Sequence, residues 1–425
     1  MHAPTIIHHP APPRRPGGSQ PRYLVFLITG NPGLVGYYAP FLAHLHARLN
    51  NLPLPYGDTS TNTSSTDAPP SFELFGRSLS GFEATGAEPG AFPAATATAA
   101  AAAVPDSGVN AATAAAFGSA PPFSLRAQIA GVEWVLRDQV RGMREQWREE
   151  AREAAAAAAQ RGVAGEEKEK EEDQDQDPQI ILIGHSVGAY IALEITRRWR
   201  LLARLHSSSS TTTAPPPLAG TIALFPTIAH IAASPSGQRL STLYALLPPL
   251  ASIAHALAAL LTALLPATVL VFLVRAATRM PPAAAATTAA FLASRWGVLQ
   301  ALGMARDELR EIGEDEWGRD VWGAAGGEAD GEAKDDGAEP PARLFFLFGR
   351  GDHWVADSTR DELVEARGRR AGRDEAWRPV MEVDETGIPH GFCTELDTSI
   401  AVAEKVKHYI DEIVEDVSGA GLRRA

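Results

Sequence analysis

The 425-residue chain predicts an α/β fold, a mostly parallel sheet with helices on both faces, and three observations carry that expectation. Short apolar runs suited to buried strands alternate along the chain with segments whose apolar residues recur at helical spacing. One junction, "ILIGHSVGAYIALEI" from Ile181 to Ile195, passes from a strand-like run to a helix-like run through a tight glycine-flanked turn. Setting aside segments that are nearly pure Ala, Thr, Ser, Pro, Gly or charge leaves roughly 320 residues, enough for one sizeable α/β domain.

The elements follow in order. "RYLVFLITGNPGLVGYYAPFLAHLHARL" reads as a strand from Tyr23 to Ile28, a glycine turn, and a helix from Tyr37 to Leu49. "SFELFGRSL" offers a second strand at Phe72 to Phe75. "SLRAQIAGVEWVLRDQVRGM" is helical through Leu125, Ile129, Val132, Val135 and Leu136 and runs on into an Ala-rich and acidic excursion before the strand "IILIG". "LAGTIALFPTI", "ARLFFLFGRGD" and "RPVMEVDE" supply three more strands, the last two separated by the helical "DSTRDELVEARGRR", and "TSIAVAEKVKHYIDEIVEDV" closes the chain as an amphipathic helix.

This order sets the expected organisation. Residues 1–20 lack an apolar core of signal-peptide length and read as a disordered tail. A first core part spans 21–239, with low-complexity insertions near 57–70, 86–122, 152–178 and 206–217. An apolar insertion follows at 240–300, then a second core part at 301–425 with a disordered insertion near 324–341.

Composition excludes several function classes. The balance of 38 basic against 51 acidic residues, a formal charge of −13, speaks against a nucleic-acid partner. Cys393 is the single cysteine, so neither a disulfide framework nor a thiolate metal site is expected, and neither a metal nor a cofactor is called for. A cytosolic or cytosol-facing setting follows. From Leu240 to Val274 the chain contains no Asp, Glu, Lys or Arg and is bounded by Arg239 and Arg275. Pro248, Pro249 and Pro266 cut it, leaving 16 uninterrupted residues from Leu250 to Leu265. That is short of the ~20 a spanning helix needs, so a hairpin in one leaflet or a greasy lid fits better.

The chemistry concentrates in Gly184-His185-Ser186-Val187-Gly188, a G-x-S-x-G pattern. In a nucleophile elbow the serine sits on a strained strand-to-helix turn with its hydroxyl above the sheet, and Gly184 and Gly188 avoid collisions at the bend. A serine hydroxyl needs a base oriented by an acid. In the α/β-hydrolase order these follow as acid, then histidine, after later strands, and Asp352 in "GRGDHWV" and His390 in "GIPHGF" occupy those places. The oxyanion donors expected are the amides of Val187 and of Asn31 in "TGNPGLVGYY", since Pro32 has no N–H, with Gly30 and Gly33 letting the backbone approach substrate.

Other residues compete for these roles. His353 adjoins Asp352 and could serve as base only with a different acid, while Asp384 is a fallback acid and Asp357 starts a helix. His185 reads as a packing residue, His44, His46 and His230 as ordinary surface or core residues, and Cys393 as a small buried residue.

Five segments together resemble the lipid droplet-associated hydrolase family: "ITGNPGLVGYYAPFLAHL", "SLRAQIAGVEWV", "LIGHSVGAYIALEI", "FGRGDHWV" and "IPHGFC". The resemblance implies a serine hydrolase with Ser186 as nucleophile, Asp352 as acid and His390 as base. It implies a lipid ester substrate, sterol ester or acylglycerol, a role in lipid storage or turnover, and contact with a lipid droplet or the cytosolic face of the endoplasmic reticulum membrane through residues 240–274. The alternative is a droplet-associated scaffold or interaction protein with little activity. Thr29 departs from the family's proline, and Gly131 and Glu133 stand where it has a His-Lys pair. The chain also reaches "RYLVFLITG" so early that an eight-stranded sheet has little room for its first strands.

Overall fold

A computed structural model describes residues 3–12, 21–56, 70–83, 120–160, 177–207, 215–322, 342–369 and 378–424. The insertions expected near 57–70, 86–122, 206–217 and 324–341, and the acidic part of the one near 152–178, lie largely outside these residues. Seven strands form one sheet: β1 (Ile6–His9), β2 (Arg22–Ile28), β3 (Ser71–Arg77), β4 (Gln179–His185), β5 (Leu218–Leu224), β6 (Arg343–Gly349) and β7 (Val380–Asp384), in the order β1-β3-β2-β4-β5-β6-β7. All neighbours are parallel except β1, which runs antiparallel to β3.

The parallel core is covered on both faces, and its central strands are accordingly apolar: Ile180 to Ile183 in β4 are fully buried, as are Tyr23 to Val25 in β2. One face carries α1 (Ala39–Leu49) and the closing helix, whose Val402, Ala403, Val406, Tyr409, Ile410 and Ile413 recur at helical spacing and are buried. The other face carries α2 (Leu125–Gln160), α3 (Val187–Ser207) and α10 (Asp357–Arg367), with Leu193, Phe346, Phe348 and Leu363 in a shared cluster. The chain therefore leaves β2 toward one face and β4 toward the other, which opens a crevice beyond the carboxyl ends of these adjacent strands.

The N-terminal tail is only partly as expected. Residues 6–9 form the edge strand β1 rather than disorder, with Ile6 opposite Arg77 and His9 opposite Leu74. His8 Nε2 bonds Glu73 Oε1 at 2.9 Å, and the His9 ring stacks on His46. Four residues are too few for periodicity to register, and the segment gains its structure from ladder bonds with β3 that no local signal encodes. In α2 the buried Glu133 carboxylate accepts from Arg137 at 2.7 Å and from Arg198 of α3 at 3.1 Å, tying α2 to α3.

Between β5 and β6 lies a block of helices: α4 (Pro235–Leu246), α5 (Leu250–Leu264), α6 (Ala267–Thr278), α7 (Pro282–Ala293), α8 (Gly297–Glu311) and the short α9 (Arg319–Trp322). The helical block thus reaches beyond 240–300 at both ends. Ser234 caps α4 by accepting from Gly237 N at 2.9 Å, and proline follows at the first helical position. Leu270, Val274, Ala285 and Ala289 give α6 and α7 a small core of their own, whereas α5 has no buried residue. Among the described residues, eleven of the fifteen exposed large apolar side chains fall between Leu243 and Leu273, so this is a patch and not scatter. No single helix is long and apolar enough to cross a membrane; two pairs, α4 with α5 and α6 with α7, pass by composition but bend by 92° and 117°.

Candidate active site

Ser186 sits between the end of β4 and the first residue of α3 with φ +55°, in the left-handed region where a non-glycine residue is strained. Its N–H donates to Leu224 O at 2.9 Å and its carbonyl accepts from Ala189 N at 2.9 Å, which hold the turn. The flanking glycines answer to contact distances. A Cβ on Gly184 would lie 2.3 Å from Gly188 O, and one on Gly188 would lie 2.4 Å from Ile28 O and 2.6 Å from Thr29 O.

Asp352 follows β6 and His390 follows β7, so three separate strand ends bring Ser186, Asp352 and His390 together. His390 Nδ1 is 2.6 Å from Asp352 Oδ2 and Nε2 is 2.9 Å from Ser186 Oγ. A carboxylate can only accept, so Nδ1 carries the proton and Nε2 is left to accept from the hydroxyl. Asp352 Oδ1 accepts from Trp354 N at 2.8 Å, fixing the carboxylate plane. Both Ser186 and Asp352 are buried. Such a triplet can deliver an activated hydroxyl to an electrophilic carbon.

The competing residues are accounted for elsewhere. His353 is exposed and its Nδ1 bonds Ser236 Oγ at 2.9 Å. The Asp384 carboxylate accepts from Thr386 Oγ1 at 2.8 Å and Ile388 N at 2.9 Å, shaping the loop that delivers His390. Asp357 is exposed and paired with Arg360. His44 meets Glu404 at 2.6 Å, His46 Nε2 bonds Pro10 O at 3.0 Å, and His230 is an exposed left-handed residue before a short 3-10 turn. Burial pushes the Cys393 thiol up to about 12, which keeps it protonated and unreactive.

His185 does more than pack. Its Nε2 donates to the His390 carbonyl at 2.8 Å, and its Nδ1 accepts from Tyr38 Oη at 2.6 Å, whose oxygen in turn accepts from Gly30 N at 3.0 Å. Burial, reinforced by the His390 ring, lowers its pKa to about 3, so the ring is neutral and this directionality is preserved. The chain of bonds ties the loop after β2, the elbow and the His390 loop into one unit.

Asn31 lines the same cleft as Ser186, and Val187 is the next residue in the chain. Val187 opens α3, so its N–H has no intrahelical acceptor. The Asn31 side chain is held by α8, donating from Nδ2 to Ala301 O and to Glu308 Oε1, both at 2.9 Å. Gly30 lies against the elbow, where a Cβ would sit 3.0 Å from Ser186 Cβ; Gly33 instead presses on Leu79 and Phe82, the nearest atom 2.6 Å from an added Cβ. Gly33 therefore seats the loop on the segment that follows β3.

A cleft of about 390 Å³ stands over Ser186. Its walls are mostly apolar, with Ile231, Leu240, Leu243, Ala301, Leu302 and Trp354 set among the polar Asn31, Ser236, Arg239 and Glu308. Sequence reasoning missed Glu308, one acid among several on an amphipathic helix. Burial, with a smaller push from Asp307, raises its pKa to about 8 against the lowering bond from Asn31. The folded state therefore holds this proton more tightly than the unfolded chain, whose carboxyl titrates near 4.5. That stabilisation is complete below about pH 4.5 and is lost as pH rises through about 8. Glu308→Gln keeps an oxygen for Asn31, so it is expected to flatten the fall in melting temperature from about pH 5 to about pH 8 and to be the more stable form at the upper end; scanning calorimetry at both ends measures this.

Among the described residues no group of histidine, cysteine and acidic side chains could hold a metal ion. Three solved structures are similar at low identity. The monoglyceride lipase of Saccharomyces cerevisiae, solved with a substrate analogue, matches at 11% identity and TM-score 0.42, covering 96% of this chain and 91% of its own. The N-formylmaleamic acid deformylase of Pseudomonas putida matches at 12% and 0.41, covering 94% of each. The peroxisomal alpha-beta-hydrolase of Saccharomyces cerevisiae matches at 13% and 0.40, covering 96% and 88%. No curated protein matches the sequence. The model describing lipid-droplet associated hydrolases matches residues 21–153 and 164–393, a span holding β2 to β7, the elbow, Asp352 and His390. This enzyme, a hydrolase built on a mostly parallel sheet with helices on both faces, belongs to the lipid-droplet associated hydrolase family.

Proposed function

We propose that the protein is a serine esterase that cleaves lipid esters, sterol esters or acylglycerols, at the surface of a lipid droplet or of the endoplasmic reticulum membrane. Its work there is lipid storage or turnover. The observation that carries this reading is the 2.9 Å and 2.6 Å hydrogen-bonded series Ser186–His390–Asp352 beneath a mostly apolar cleft. Ser186 Oγ attacks the acyl carbonyl while His390 Nε2 takes its proton. The oxyanion of the tetrahedral intermediate accepts from the amides of Val187 and Asn31, and Asp352 holds the imidazolium. On collapse the C–O bond to the alcohol breaks and His390 returns the proton to the leaving oxygen. Water, deprotonated by the same ring, then releases the fatty acid and restores the hydroxyl.

The exposed apolar helices support the surface contact. Leu246, Leu257, Leu264 and Phe272 are 77%, 62%, 71% and 68% exposed, a costly arrangement in water that burial in an acyl layer reverses. Leu240 and Leu243 belong both to this region and to the cleft wall, so a lipid partner would adjoin the entrance to Ser186. Two measurements test the proposal. The purified protein is expected to hydrolyse long-chain sterol esters or acylglycerols in emulsion faster than soluble short-chain esters; the reverse order would refute the lipid assignment. Replacing Leu257, Leu260, Leu264 and Phe272 by serine is expected to weaken flotation with droplets by about 1000-fold, taking about 1 kcal/mol for each side chain.

A further inference from the structure

The stretch of chain that carries the apolar patch holds charge of one sign only. The molecule carries a formal charge of −13, yet the 68 residues from Arg239 to Arg306 contain five arginines and no aspartate or glutamate. Arg239, Arg275, Arg279, Arg295 and Arg306 are all exposed, and among the described residues none of the first four forms an ion pair. Each stands at the patch. Arg239 is four residues before the exposed Leu243 on α4, and Arg275 is three after the exposed Phe272 on α6. Arg279 ends α6 in the left-handed conformation. Arg295 lies over the Trp296 ring, which stacks on His255 of α5.

We infer that this face docks on a lipid surface bearing anionic phospholipid head groups, with the leucines entering the acyl region and the arginines meeting phosphates. The inference rests on the lipid-surface reading above and adds the chemistry of the head group to it. An apolar insertion and a cationic rim are two separate attractions that reinforce each other at such a surface, since a small apolar patch alone binds reversibly. A second copy of the chain fits poorly, because a two-fold contact through this face would set the arginines against their own counterparts.

The test is flotation of the full chain with triolein droplets coated either in phosphatidylcholine alone or in phosphatidylcholine mixed with phosphatidylserine. The expected result is tighter binding to the mixed coating, by about fivefold for each arginine that reaches the head groups, with the advantage lost at high salt. A variant carrying Arg275→Gln, Arg279→Gln and Arg295→Gln should lose that preference while still binding phosphatidylcholine droplets, and the same three positions as lysine should keep it. Equal binding of the wild type to both coatings, or a preference that survives in the glutamine variant, overturns the inference and leaves the lipid-surface reading standing. Failure to bind either coating overturns both.

Discussion

Ser186→Ala is expected to lower kcat for ester hydrolysis by about 10⁵-fold with little change in melting temperature. In the proposed mechanism the hydroxyl is the group from which the relay departs, with His390 Nε2 and Asp352 Oδ2 arranged in series behind it. Alanine keeps the turn at φ +55°, so the strain of the elbow is neither relieved nor increased. Asp352→Asn should fall by about 10⁴-fold, because an amide facing Nδ1 favours the wrong tautomer. The pair is measured with a soluble ester, so that activity is read independently of lipid binding, alongside labelling by a fluorophosphonate. Labelling that persists in the alanine variant would assign the nucleophile elsewhere.

Gly188→Ala should be the more damaging change to the fold. The added methyl would meet the carbonyl oxygens of Ile28 and Thr29 at 2.4 and 2.6 Å, and both belong to backbone at the end of a central strand. Neither oxygen can rotate away as a side chain would, so β2 and α3 must separate. The expected cost is about 3 kcal/mol or more, read as a shift of the urea midpoint at constant slope. Gly142→Ala is the matched control. It lies on the exposed side of α2 with nothing within 4 Å of the added atom, and the same substitution there should stabilise by about 0.5–1 kcal/mol. If both glycines responded alike, contact at the elbow would not be the reason for the first.

The parts legible in the sequence were those with dense local signals. The strands β2, β4 and β6 are apolar runs bounded by turn residues, and the elbow joins a strand pattern to a helix pattern in a few residues, which is why their positions match the structure closely. The chain order serine, acid, histidine was readable for the same reason, each residue standing just after a recognisable strand. What failed to register was short or relational. β1 has four residues and owes its existence to β3. Glu308 is unremarkable until folding places it against Asn31, 277 positions away. His185 was legible only as a neighbour of the serine, because its bonds run to Tyr38 and to the His390 carbonyl from distant loops.

By itself, then, the amino-acid sequence determined the fold class, the identity of the three residues in the hydrogen-bonded series and the presence of an uncharged stretch at 240–274, because each is a pattern of neighbouring residues whose physical preference is local. Only the tertiary structure decided that Gly33 serves packing, that burial favours the protonated form of Glu308 in the cleft wall, and that the leucines of α4 to α6 point outward beside exposed arginines. Those properties depend on which distant groups surround a side chain and how much water it loses, and neither quantity exists until the sheet has closed and the helices have packed.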